Sequence, residues 1–207
     1  QALISIANIG DNSGTTIGLG NQVGTVQDIQ FAVEGEFQAG DSLSFNVVNI
    51  GSDDSTGVGG HSAGVVLNSL TTASQSLFNN NVTIGKQANL TLSNAGNCTA
   101  TTSSQGNKVG YLNQDQFHVS GTFTAGDDFN LNVSNEGVSS SVSSGVDEVG
   151  TVSLGLQTCF TQECMLGDNA VITVSNKGTY TGNSSAYTYT GYVFDNQACF
   201  EGLLTAG

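Results

Sequence analysis

The chain has no proline, no tryptophan and no arginine, and only three of its 207 residues are basic: Lys86, Lys108 and Lys177. A surface that poor in cations cannot neutralise a phosphate backbone, which excludes nucleic acid as a partner. The same deficit argues against docking on anionic lipid. The net charge of −14 reflects missing bases rather than dense acidity, since only 10 % of the residues are charged. No apolar run approaches the roughly 18 residues of a membrane-spanning helix, so no membrane insertion is expected. Without proline nothing interrupts a strand ladder, and no segment shows helical periodicity. The chain starts at Gln1 rather than methionine, which fits a mature product whose leader has been removed. With four cysteines and few bases, the expected location is extracellular or at the cell surface, where disulfides persist.

What the sequence does contain is repetition. Breaking it at glycines gives five tandem copies of one unit of about 41 residues, 1–40, 41–85, 86–126, 127–167 and 168–207, which together form a single repeat domain, 1–207. Each copy ends in glycine and opens with a strand, A, that closes on Asn-x-Gly: Asn8/Gly10, Asn49/Gly51, Asn94/Gly96, Asn135/Gly137 and Asn176/Gly178. A second glycine recurs in a short apolar strand, B, at Gly24, Gly64, Gly110, Gly150 and Gly191. Strand A alternates, with Leu90 and Leu92 preceding Asn94 and Leu131 and Val133 preceding Asn135. Period two of this kind means one buried and one wet face, and it turns the asparagines inward. A third strand, C, places Phe31/Val33, Phe117/Val119, Phe160 and Phe200 before a common site at Phe37, Val82, Phe123, Cys164 and Leu204. The polar stretch between A and B, 11–22 in the first copy, reads as a surface loop.

The expected fold is therefore all-β, with three strands per repeat. Stacking the copies gives a β-solenoid whose inward asparagines form a ladder. An Ig-like or jelly-roll sandwich, with Gly-Asp at the tip of an antiparallel hairpin, is the alternative, and a five-bladed propeller comes third. The asparagine column resembles the ladders of parallel β-helices. The stretches AGDSLSFNVVNIG (39–51) and AGDDFNLNVSNEG (125–137) resemble the GD-x-apolar…N-x-G strands of repeat-built surface and filament proteins of bacteria and archaea. That resemblance implies a surface or filament role.

Catalytic chemistry is sparse. His61 lies in the Gly-rich segment GVGGHSAG and His118 on a strand position, and neither has convergent partners in the sequence. An enzyme is therefore not expected, nor a cofactor. Acidic residues gather in turn-like segments around Asp11, Asp41, Asp53, Asp127, Asp147 and Asp168. They suit backbone capping, with calcium as the functional alternative. Cys159 and Cys199 share one column and are expected to form a disulfide if the copies stack. Cys98, in the loop after strand A, and Cys164, on the opposite face of the Cys159 strand, remain unassigned. Five sequons, at Asn81, Asn89, Asn97, Asn132 and Asn183, fall on outward positions and permit glycans.

Neither end of the chain has the polar cap usual in repeat arrays. The first copy begins with the apolar strand ALISIANIG and the last stops at the end of strand C. Leu3, Ile4, Ile6 and Asn8 are expected to meet Phe200 and Leu204 of another copy, giving a homopolymer: a filament or surface matrix that grows by strand addition. The alternative is an adhesin whose loops bind glycan or a host surface.

Overall fold

The computed structural model describes residues 1–16, 20–57, 59–67, 74–100 and 105–207. Every regular element among them is a β-strand, and every strand pairing is parallel. Four five-stranded sheets carry the architecture, and none closes into a barrel. Sheet A consists of Ala2–Asn12, Leu43–Asp53, Asn89–Cys98, Asn130–Ser139 and Val171–Tyr180. Sheet B holds Gln22–Gln27, Ser62–Leu67, Lys108–Leu112, Asp147–Val152 and Thr188–Thr190. Sheet C holds Phe31–Val33, Ser74–Phe78, Asp115–Val119, Thr158–Phe160 and Ala198–Phe200. Sheet D holds Phe37–Ala39, Val82–Ile84, Phe123–Ala125, Cys164–Leu166 and Leu204–Ala206. Each sheet takes its strands in chain order.

Strand C of the sequence reading is two strands. Phe31–Val33 and Phe37–Ala39 belong to different sheets, separated by Glu34, Gly35 and Glu36. Cys159 and Cys164 are likewise on separate strands, not on opposite faces of one. An antiparallel hairpin, which both the sandwich and the propeller require, is absent among the described residues. The Gly-Asp segment is instead a corner between sheet D and the next sheet A strand. Its left-handed residue recurs as Ser42 (φ 61°), Gln87 (φ 58°), Asp128 (φ 58°) and Asn169 (φ 58°). Each corner hangs on the next through the backbone, as when Gln87 N–H donates to Asp127 C=O at 2.8 Å.

Strand A also runs two residues past its Asn-x-Gly, to Asn12, Asp53, Cys98, Ser139 and Tyr180. Cys98 is thus the last residue of a strand rather than a loop residue. Part of the expected A–B loop forms two short parallel pairs, Thr15–Thr16 with Thr56–Gly57 and Val142–Ser143 with Asn183–Ser184. Residues 17–19 of that loop lie outside the described residues.

The main core sits between sheets A, C and D. Phe45, Leu92, Phe117, Phe123, Leu131 and Phe160 are fully buried there, each worth about 1.5–3 kcal/mol relative to exposure. Aromatic rings run from one end of the sheets to the other. Phe31–Phe78, Phe78–Phe117 and Phe117–Phe160 each have centroids 5.7 Å apart, and Phe160–Phe200 is at 5.1 Å. In sheet A the asparagine column and the apolar residues turned to the core arise from one alternation: even positions 90, 92 and 94 of the Asn89–Cys98 strand are buried, and odd ones are not.

The two glycine columns are explained together. Where sheets A and B cross, Gly96 packs against Gly110 and Gly137 against Gly150, so closely that a Cβ on any of them would overlap backbone. Gly110 (φ 58°) and its column are also left-handed, a conformation glycine adopts without steric cost.

Candidate functional site

The inward asparagines form a continuous ladder. Asn8 Nδ2 donates to Asn49 Oδ1 at 2.7 Å, Asn49 to Asn94 at 2.7 Å, Asn94 to Asn135 at 2.8 Å and Asn135 to Asn176 at 2.8 Å. The second amide hydrogen crosses to sheet B. Asn94 donates to Gly64 C=O at 2.9 Å, and Asn135 and Asn176 donate to Gly110 and Gly150 C=O at 2.8 Å each. Asn49, Asn94 and Asn135 are buried, so each bond satisfies a group that water cannot reach. Asn94→Leu should cost about 1–3 kcal/mol, because Asn49 and Asn135 each lose a partner and Gly64 C=O is left bare. Ser93→Ala, one residue away on the outer face, should cost under about 0.5 kcal/mol. A urea titration of the two variants checks the difference.

A second ladder was missed in the sequence. Gln30, Gln75, Gln116, Gln157 and Gln197 recur once per repeat. Gln75, Gln116 and Gln157 donate to the carbonyls of Ser93, Ser134 and Ser175 at 2.9, 2.6 and 2.6 Å, and Gln30 to that of Val48 at 2.7 Å. Each acceptor is the residue before a ladder asparagine. The asparagines therefore tie sheet A to sheet B, while the glutamines tie it to sheet C.

His61 is not the isolated loop histidine the sequence suggests. It is fully buried, and its Nδ1 lies 2.8 Å from Asp53 Oδ2. Asp53 and Asp147 are not turn residues either. Both are buried, with Asp53 Oδ1 accepting from Ser55 N–H at 3.1 Å and Asp147 Oδ1 accepting from Asn107 N–H at 2.9 Å. His61 N–H donates to Asn107 Oδ1 at 3.0 Å, which joins the two acids into one network between sheets A and B. Burial works to raise the Asp53 carboxyl, but hydrogen bonds from Ser55 and His61 outweigh it and hold the group below 3.8. A carboxylate depressed in the folded state contributes stability that is complete above about pH 4 and fades as pH falls through the folded value. Asp53→Asn should accordingly flatten the fall in melting temperature below pH 4, read by scanning calorimetry.

The cysteines are free thiols. Cys159 and Cys199 are direct strand partners, as the expected disulfide requires. Cys98 and Cys164 lie apart from them in two other clusters, one between sheets A and B and one in the main core. Burial pushes both thiols up to about 11, which makes them poor nucleophiles. His118 is half-buried, and Asp115 Oδ2 lies 2.6 Å from its Nδ1.

Corner acids cap backbone: Asp41 Oδ1 accepts from Lys86 N–H at 2.8 Å and Asp127 Oδ1 from Asp168 N–H at 3.1 Å. The calcium alternative would need several oxygens to converge. Among the described residues, the groups of three metal-capable side chains that do converge include Cys159 rather than carboxylates alone. All three lysines pair with an acid of a neighbouring strand or corner: Lys86 with Asp127, Lys108 with Glu148 and Lys177 with Glu136. Asn81, Asn89, Asn97 and Asn183 are exposed and Asn132 is half-buried, all on outer positions. No helix among the described residues is long and apolar enough to cross a membrane.

The expected junction residues lie at the open ends. Ile4, Ile6 and Asn8 point inward from the first strand of sheet A, half-buried, whereas Leu3 points outward and is 72 % exposed. Phe200 and Leu204 lie on the last strands of sheets C and D, at the opposite edge of the sheets from the first strands. The two sets therefore belong to different sheets. A strand joining in register at the first edge would match Ala2–Asn12 to Val171–Tyr180 rather than to Phe200 or Leu204.

No family model matches this chain, and no curated protein or solved structure matches it either.

Proposed function

We propose that the chain is a β-solenoid of five stacked repeats that serves as the subunit of an extracellular filament or surface matrix. Its subunits join head-to-tail by continuation of the sheets. The observation that carries this reading is the polarity of the asparagine ladder. Each amide donates toward the C-terminal end, so Asn8 Oδ1 ends the row as an acceptor and Asn176 keeps an amide hydrogen that meets no acceptor among the described residues. A second copy placed on the stack would supply each with its complement.

Further support comes from the edges. The first and last strands of each sheet leave one row of backbone groups open, and such edges attract another strand unless they are blunted. Half-buried Ile4, Ile6 and Phe31 sit at one end, and Ile172 and Phe200 at the other. The chain has no proline with which to block either edge, and Lys177 points outward to Glu136. Outward sequons and a surface without free cationic patches suit an extracellular setting. The adhesin reading has only the polar outer positions in its favour.

Sedimentation velocity of the purified chain over a range of concentrations tests the proposal. Species that lengthen with concentration at constant width support it. A single monomer that binds a glycan through outer residues favours the adhesin.

A further inference from the structure

The face of sheet C turned away from the phenylalanine core carries chemistry that neither the ladders nor the ends use. His118, Cys159 and Cys199 are in-register neighbours on three successive strands. Asp115 precedes His118 on its strand, and Glu201 follows Cys199. The donor atoms of Asp115, His118 and Cys159 all lie within 4.8 Å of one another, and so do those of Cys159, Cys199 and Glu201. Cys159 belongs to both groups and sits at their centre.

We propose that the reduced protein binds one zinc ion at this position. The thiolates of Cys159 and Cys199 and the carboxylate of Glu201, the group whose donor atoms converge, supply three donors and leave the fourth position to water. Two sulfurs in the set favour zinc over calcium, which takes oxygens. His118 groups with Asp115 and Cys159 instead, its Nδ1 2.6 Å from Asp115 Oδ2.

Binding displaces one proton from each thiol, so two protons are released for each zinc bound. Oxidation of the same two thiols to a disulfide, with loss of two electrons to an external oxidant, would abolish the site. Zinc and disulfide are therefore mutually exclusive states of one pair. The inference does not depend on the filament reading.

The test uses the full chain, reduced with a phosphine, loaded with zinc sulfate and passed over chelating resin. Elemental analysis should find one zinc per chain. Cobalt(II) loading should give the near-ultraviolet thiolate-to-metal absorption of a site with two sulfurs. Cys159→Ser and Cys199→Ser should lose stoichiometric metal, and Glu201→Gln should weaken binding at least tenfold. Since Glu201 is exposed, that variant keeps the test open if a serine variant misfolds, and circular dichroism confirms the fold in each case. Bound zinc should also slow formation of the Cys159–Cys199 disulfide in non-reducing peptide maps. Failure of the reduced, folded protein to retain zinc would overturn the proposal. So would equal retention by the serine and glutamine variants.

Discussion

Replacing Gly110 by alanine should destabilise the protein by more than about 4 kcal/mol, or prevent folding altogether, a size reserved for backbone strain and severe overpacking. Two effects add. The residue sits at φ 58°, where an L side chain is strained. A Cβ there would also overlap the carbonyl of Glu136 and lie 2.7 Å from Gly137 Cα. Neither neighbour is a flexible side chain, so the two sheets must separate, and Asn135 would lose its bond to the Gly110 carbonyl. Gly35→Ala is the control. Its Cβ would meet nothing within 4 Å, and the change should stay within about 0.5 kcal/mol. Paired denaturant titrations decide whether the glycine columns hold the sheets together.

The double variant Ile4→Lys, Ile6→Lys should abolish assembly while leaving the subunit folded. Both side chains are half-buried at the open end of the main core, so the isolated chain already tolerates water there. A neighbouring copy would bury them, worth roughly 1.5–3 kcal/mol each. Losing both weakens each junction by roughly 10²- to 10⁴-fold, and two unpaired ammonium groups against an apolar face oppose docking further. Light scattering should show no growth, with an unchanged far-ultraviolet spectrum. Fibres from this variant at wild-type yield would remove the ends from the account.

Much of this arrangement is legible before any coordinates. The alternation Leu90, Leu92, Asn94 and its four copies assign the faces of sheet A, because a period of two leaves no other register with a buried apolar face. The split of strand C is not legible in the same way. Phe31, Val33 and Phe37 share parity, so the three-residue corner at 34–36 leaves the alternation undisturbed. Only Gly35 and its counterparts Gly121 and Gly202 hint at it. The glutamine recurrence at 30, 75, 116, 157 and 197 is present in the sequence, but nothing in it marks these side chains as inward. Its meaning depends on sheet A carbonyls about 18 residues away in sequence, as Gln75 to Ser93 shows. His61 was misread for a similar reason. A glycine-rich segment suggests exposure, whereas the partner that buries it, Asp53, comes from the extension of strand A past its glycine.

Fibre diffraction or helical reconstruction of the assembled protein tests the central claim most directly. If sheets continue from copy to copy, strands stack along the axis about 4.8 Å apart. Five strands per subunit then give an axial repeat of roughly 24 Å. That repeat, with strands perpendicular to the axis, is the predicted result. A chain that remains a compact monomer, or fibres whose subunit repeat departs from five strand spacings, would contradict it.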